Sequence, residues 1–124
     1  KDGGTAGDII GKDGSGVAFI GQVTAANQGT VFGVTMTCVE TPAGGSADID
    51  LFSATEGTGV NDTAIGDLTE TQIINSGSLS AGSLVAGGDI AADQFLYLVS
   101  QGTGDATYTA GRLMIEILGF DAAS

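Results

Sequence analysis

The chain of 124 residues has the length of a single domain, and its composition excludes several classes of function. It carries 15 acidic residues against three basic ones, a formal net charge of −12, so it has too few cations to neutralise phosphates and we expect no nucleic-acid partner. Because 42% of its residues are hydrophobic, it can form a core and is not an acidic disordered tail.

The first 16 residues are rich in glycine and aspartate around the pair Ile9 and Ile10. Glycine reaches positive φ at little steric cost and aspartate favours turns. Residues 1–16 are therefore predicted to form an extended N-terminal arm with one short strand-like contact. The remaining residues, 17–124, are predicted to form one domain.

The clearest strand is predicted over Thr30–Glu40, where apolar and small polar residues alternate with a period of two. Pro42 is expected to end this strand, because proline cannot donate to a β-ladder. The lone Cys38 is expected to be a small buried hydrophobe. The side chains predicted to face the core are Phe32, Val34, Met36 and Cys38.

A second alternating strand is predicted over Ala47–Phe52, with Asp48 and Asp50 facing solvent. These two carboxylates are weak candidates for a calcium site, as are Asp62 and Asp67 further along, because calcium prefers oxygen ligands. The EF-hand pattern is absent, so a solvated acidic face is the stronger interpretation and we expect no bound metal or cofactor.

The middle of the chain is less regular. Thr55–Asp67 is predicted to be a long polar loop, and Asp67–Asn75 fits either a short helical turn or a strand. Ser76–Gly87 contains a short internal sequence repeat and is predicted to form a strand–turn–strand unit at the edge of a sheet.

Near the C-terminus, Gln94–Ser100 is apolar at nearly every position, as in a strand that is covered on both faces or lies in a sandwich core. With six to eight short strands, glycine-rich turns and no long helical pattern, the sequence predicts an all-β sandwich or barrel.

The last predicted strand, Arg112–Phe120, is apolar on both of its sides. If Leu113, Ile115 and Ile117 fill the core, its other side must be covered by a loop, by the arm or by another subunit. Glu116 on that side needs a partner, such as Arg112 or a lysine of a neighbour. The residues expected to contact a subunit or partner are Met114, Glu116, Leu118 and Phe120, with Ile9 and Ile10 of the arm.

Catalytic chemistry has little support in the sequence. Histidine is absent, which removes the usual general base near neutral pH and the commonest metal ligand. No P-loop is present, and the absence of tryptophan argues against a sugar-stacking platform. We expect no enzymatic activity, and no apolar run is long enough to span a membrane.

Three segments carry a resemblance to known proteins: ADIDLFSATEGTG, SGSLSAGSLVAGGDIAAD and the ending DQFLYLVSQGTGDATYTAGRLMIEILGF. Together they resemble small structural proteins of tailed phages, especially marine ones, over residues 47–120. The resemblance implies a jelly-roll-like antiparallel β-sandwich and a capsid decoration (cement) protein or another non-enzymatic virion component.

The resemblance further implies a homo-oligomer, for which a trimer is one arrangement, bound to the major capsid protein or other virion subunits on the capsid surface. One alternative is an extracellular filament or pilin-like subunit that assembles by donating its N-terminal arm to a neighbour's sheet. A calcium-dependent carbohydrate-binding module is a further alternative.

Overall fold

The computed structural model describes residues 2–3, 5–103 and 106–121, with the backbone alone for residues 2, 3 and 106. Residues 1, 4, 104–105 and 122–124, which belong to the predicted arm and domain, lie outside the described residues. The strands are β1 (Asp2–Gly3), β2 (Asp8–Ile9), β3 (Gly21–Gln22), β4 (Thr30–Ala43), β5 (Ile49–Ala54), β6 (Glu70–Ile74), β7 (Leu84–Gly87), β8 (Phe95–Ser100), β9 (Ala106–Thr107) and β10 (Ala110–Phe120). A short helix, α1, spans Ala25–Gln28, and a 3-10 turn spans Ile65–Asp67.

Two antiparallel sheets face each other across the core. One has three strands in the order β10–β4–β7, and the other has the order β2–β8–β5–β6, with β3 also paired to β8. β1 and β9 form a separate two-stranded ribbon. The predicted all-β antiparallel sandwich is therefore confirmed, while the jelly-roll arrangement of its strands stays a prediction.

The main core lies between the two sheets. From β4 it receives Val34, Met36 and Cys38, which are each at most 1% exposed. The five-stranded sheet contributes Leu51 and Leu96 from the facing side. The inward side of β10 packs against this cluster through the partly buried side chains of Leu113, Ile115 and Ile117, as the sequence predicts.

A second core covers the opposite face of the five-stranded sheet. Phe52 and Tyr97, on neighbouring strands, point away from the main core into this second cluster. The N-terminal segment and the loop after β5 cover them, through Ile9, Ala18 and Ile65 and the partly buried Phe19 and Leu68. Every residue of β5 is consequently buried, and the prediction that β8 is covered on both faces is confirmed.

Tyr97 fixes the loop after β5 to the sheet. Its hydroxyl donates to the carbonyl oxygen of Glu56 at 2.7 Å and accepts from the N–H of Gly59 at 3.1 Å. A side chain at Gly59 would collide with both Ile9 and Tyr97, because a Cβ there would lie within 3 Å of each. The loop therefore approaches the sheet closely enough to exclude water from the second core.

The N-terminal segment is built into the fold. Its predicted short strand contact is β2, which pairs with β8, and the N–H of Ile10 donates to the carbonyl of Leu98 at 2.8 Å. Ile9 is fully buried and Ile10 is 6% exposed. These two residues thus complete the chain's own cores.

Three β-bulges in β4 change the predicted pattern. The 14 residues of β4 pair with the 11 of β10, and each register shift places the additional residue on β4. One bulge turns Val31 inward and Phe32 outward, so the predicted core position of Phe32 is wrong. Another lets Pro42 stay within the strand, because proline is tolerated where the ladder is interrupted.

Three further predictions need correction or a choice. Asp50 does not face solvent; it is 1% exposed, because the face of β5 that carries it is covered. The ambiguous Asp67–Asn75 segment forms a strand, β6. Only the second half of the predicted strand–turn–strand edge is a full strand, β7, whereas the first half contributes the single bridge between Ser78 and Asp48.

The two tyrosines provide a test of the loop anchor. We expect Tyr97→Phe to destabilise the protein by about 1–3 kcal/mol, because it leaves a buried N–H and a carbonyl without their partner. The matched control is Tyr108→Phe, which removes the hydroxyl's part-buried contacts with the carbonyl of Ser46 and the side chain of Ser100 but leaves no backbone N–H without its partner, and should cost less. Urea unfolding of both variants measures the difference, and an equal or smaller loss for Tyr97→Phe would contradict the anchor.

Candidate interaction surface

The outer face of the three-stranded sheet exposes a group of large apolar side chains, each 40–62% exposed. The strand register places Met114 and Leu84 on either side of Thr37. At one end of the sheet, the rings of Phe32 and Phe120 lie 6.1 Å apart. We define the apolar outer face as the five side chains of Phe32, Leu84, Met114, Leu118 and Phe120.

Few charges interrupt this surface. The three strands β4, β7 and β10 carry two of the chain's 15 acidic residues, Glu40 and Glu116. Glu116 is exposed in the middle of β10 opposite Thr35, and Arg112 is exposed opposite Glu40. Within the described residues, neither Arg112 nor Glu116 forms a side-chain hydrogen bond or an ion pair. Depletion of charge at an apolar centre is typical of protein interfaces.

The structure brings together four of the predicted contact residues and separates the other two. Met114, Glu116, Leu118 and Phe120 lie on the apolar outer face or within it, all of them exposed. Ile9 and Ile10 are not available as contacts, because they are buried in the cores of the same chain.

Sequence reasoning missed two members of this face. A strict period of two places Phe32 in the core because it cannot show a bulge, and only the neighbouring Gly33 marks the irregularity. Leu84 lies in the segment predicted as an edge, where its alternation with the inward Val85 was the available signal.

The acidic residues considered for calcium do not converge. Asp50 accepts hydrogen bonds from the side-chain amide of Gln72 and the N–H of Ser76, both at 2.8 Å, and so has a structural role. Asp62 and Asp67 lie exposed in the loop after β5. Among the described residues, no group of three acidic, cysteine or histidine side chains is placed to hold a metal ion.

Asp48 is the one acid of this set in an unfavourable position. Its Oδ1 atom is buried and has no hydrogen-bond partner among the described residues. Burial, and to a smaller degree the nearby charge of Asp50, raises the pKa of the Asp48 carboxyl above its ordinary value. Folding therefore shifts the protonation equilibrium of this side chain toward the neutral form.

Cys38 does not form a reactive site. It lies in the main core, and its Sγ donates to the carbonyl of Glu40 at 3.3 Å. Burial raises the pKa of the thiol, which disfavours the reactive thiolate. The structure agrees with the expectation of a small buried hydrophobe.

An apolar cavity of about 490 Å³ opens between the edge of β10 and the edge of the five-stranded sheet. Leu113 and Ile115 line it from β10, and Ile20 and Leu98 line it from the opposite side. Its volume is within the range of small-molecule sites, but the described residues lining it include no charged group. It is a gap between two sheet edges.

No protein-family model matches the chain, and comparisons with curated proteins and with solved structures find no match. Within the part of the chain that the structure describes, no helix is long and apolar enough to cross a lipid bilayer. The geometry of the chain itself is therefore the basis for a functional proposal.

The position of Asp48 generates a pH-dependent prediction. The pKa of Asp48 is higher in the folded state than in the unfolded state, where it is about 3.9. The free energy of unfolding therefore falls as the pH rises from the unfolded pKa through the folded pKa, because the carboxyl ionises less readily in the folded protein. We expect Asp48→Asn to stabilise the protein by about 1 kcal/mol at pH 7. This gain should shrink as the pH falls through the raised folded pKa of Asp48, because the wild-type carboxyl then becomes protonated in the folded state.

The matched control is Asp50→Asn, which replaces an acceptor of two hydrogen bonds and should destabilise the protein by about 1–3 kcal/mol at pH 7. Thermal unfolding of both variants over a pH series measures these effects. A loss of stability in Asp48→Asn at pH 7 would show that its carboxylate is favourable in the fold.

Proposed function

We propose that the chain is a non-enzymatic virion structural protein of the capsid decoration type, which binds assembled shell subunits through the apolar outer face. The observation that carries this proposal is the exposure of six large apolar side chains on one sheet, the five of the apolar outer face and Val39. The resemblance of residues 47–120 to structural proteins of tailed phages supplies the class of partner. The absence of histidine supports a role without catalysis.

An exposed apolar sheet face is unfavourable in a protein that remains alone in water. Contiguous apolar patches on soluble monomers are usually small, and larger ones mark contact sites. Here the patch lies on a sheet whose other side is fixed by the main core, so its geometry is defined before a partner arrives. Such a preformed surface loses little conformational entropy on binding.

A decoration protein with this surface would stabilise a shell by mass action. It would recognise the assembled subunits and not the free ones, so each bound copy shifts the equilibrium toward the intact capsid. If the protein is a homo-oligomer, several apolar outer faces bind at once and strengthen the attachment without stronger individual contacts. The site of action in this proposal is the capsid surface.

The filament alternative has less support. It requires the N-terminal segment to leave its own chain and complete the sheet of a neighbour. That exchange would remove Ile9 and Ile10 from the chain's own cores and break the pairing of β2 with β8. The carbohydrate-binding alternative would need calcium ligands, and the candidate aspartates do not converge.

A pair of leucine and valine variants tests the proposed binding face. We expect Leu118→Asp to weaken binding to capsids of the phage that encodes the chain by about tenfold or more, because one buried leucine contributes about 1.5–3 kcal/mol. Val17→Asp is the control, since Val17 is exposed to a similar extent, 44% against 40%, outside the three-stranded sheet. Both substitutions add one negative charge.

Co-sedimentation with purified capsids measures the binding. A wild-type protein that does not co-sediment with these capsids would contradict the proposal. Equal losses in the two variants would instead locate the binding surface away from the apolar outer face.

A further inference from the structure

β10 is a long edge strand with one side of its backbone open. Over its 11 residues, its only strand partner among the described residues is β4. Because the additional bulge residues lie on β4, β10 keeps a regular alternation of exposed and half-buried side chains from Arg112 to Leu118. Natural edge strands are usually shortened, bulged or interrupted by proline to prevent pairing. From Arg112 to Leu118, β10 is not shortened, bulged or interrupted by proline, and its one protection against unselective pairing is the charge of Arg112 and Glu116.

The two charged residues of β10 are placed to recognise a second β10. Arg112 and Glu116 are exposed, point to the same face, and are four residues apart with Met114 midway between them. In an antiparallel pair of β10 strands centred on Met114, Arg112 of each copy lies opposite Glu116 of the other. Opposite charges directly across two strands stabilise the pair.

We propose that a second copy of this chain pairs with the open edge of β10, in an antiparallel and two-fold symmetric arrangement centred on Met114. The contact is isologous, because the same strand of both copies supplies both sides. It joins the two three-stranded sheets into one sheet of six strands. This inference concerns self-association and does not depend on binding to a capsid.

Other registers of the two β10 strands that keep the apolar outer faces of both copies on the same side of the joined sheet are less favourable. A pair centred on Glu116 would place two carboxylates opposite each other, and a pair centred on Arg112 would do the same with two guanidinium groups. Centres on Leu113 or Ile115 leave each Arg112 opposite an apolar residue. Only the register centred on Met114 forms both ion pairs.

The same register covers the apolar cavity. It places Leu113 opposite Ile115 of the second copy, and both residues line the cavity beside β10 in the isolated chain. These half-buried side chains would extend the main core across the junction. On the other side, the apolar outer faces of the two copies become one continuous surface, with Met114 of each copy at its centre.

Charge reversal tests the register in the purified full chain. Sedimentation equilibrium should show a wild-type dimer with a dissociation constant below about 10 µM. Arg112→Glu and Glu116→Arg should each weaken dimerisation at least tenfold, because each converts two attractive pairs into two repulsive ones. The double variant Arg112→Glu/Glu116→Arg should restore the dimer to within about threefold of the wild type.

Matched controls separate this register from an effect of net charge. Lys12→Glu and Glu70→Arg change the total charge by the same amounts at exposed positions outside β10. Glu116→Arg lowers the net negative charge of the chain, so general repulsion alone would make it dimerise more strongly, whereas the proposed register makes it weaker.

A wild-type monomer at about 100 µM would overturn the inference. So would a Glu116→Arg variant that dimerises as well as Glu70→Arg, or a double variant that fails to recover. Circular dichroism of each variant establishes that the fold is retained. A chain that co-sediments with capsids but is monomeric in solution would contradict this inference and leave the capsid proposal intact.

Discussion

The two sheets of this protein are buried unequally, and that inequality determines which surface remains available. The five-stranded sheet is covered on both faces, so every residue of β5 is buried. The described residues cover only one face of the three-stranded sheet. Its alternating strands carry apolar side chains on both sides, so the uncovered face exposes Met114, Leu118 and Phe120.

The cover over the five-stranded sheet comes from segments that look like loops. The N-terminal segment contributes Ile9, and the loop after β5 contributes Ile65, to a core anchored by the Tyr97 hydroxyl. Because these segments are committed there, they cannot reach the outer face of β10. The net charge of −12 makes copies of the chain repel one another. Most of the acidic residues, however, lie outside the three strands that form that face.

Much of this fold follows from a period of two in the sequence. The alternation of apolar and polar residues places Val34, Met36 and Cys38 in the core and distinguishes the two sides of β10. The continuous apolar run of β8 indicates that this strand is buried on both faces. These features are local, because side chains in a strand alternate whatever the sheet order is. The pairing of distant strands has no comparable local signal.

The errors arose where long-range contacts override the local pattern. Phe32 faces outward because a bulge in β4 shifts the alternation by one residue, and the bulge depends on the pairing with β10. Asp50 is buried because segments outside the strand cover that face of β5, and Gln72 and Ser76 supply hydrogen bonds to its carboxylate. Ile9 and Ile10 fill cores that exist only once both sheets have formed.

The central claim, that the apolar outer face is the contact surface, can be tested by methionine oxidation. The chain has two methionines: Met114 is 47% exposed on the outer face, and Met36 is fully buried in the main core and serves as an internal control. In the free protein at high dilution, we expect a limited pulse of oxidant to modify Met114 and spare Met36. In the capsid-bound protein, both should be spared. Oxidation of Met114 at an undiminished rate in the bound protein would contradict the assignment of this face.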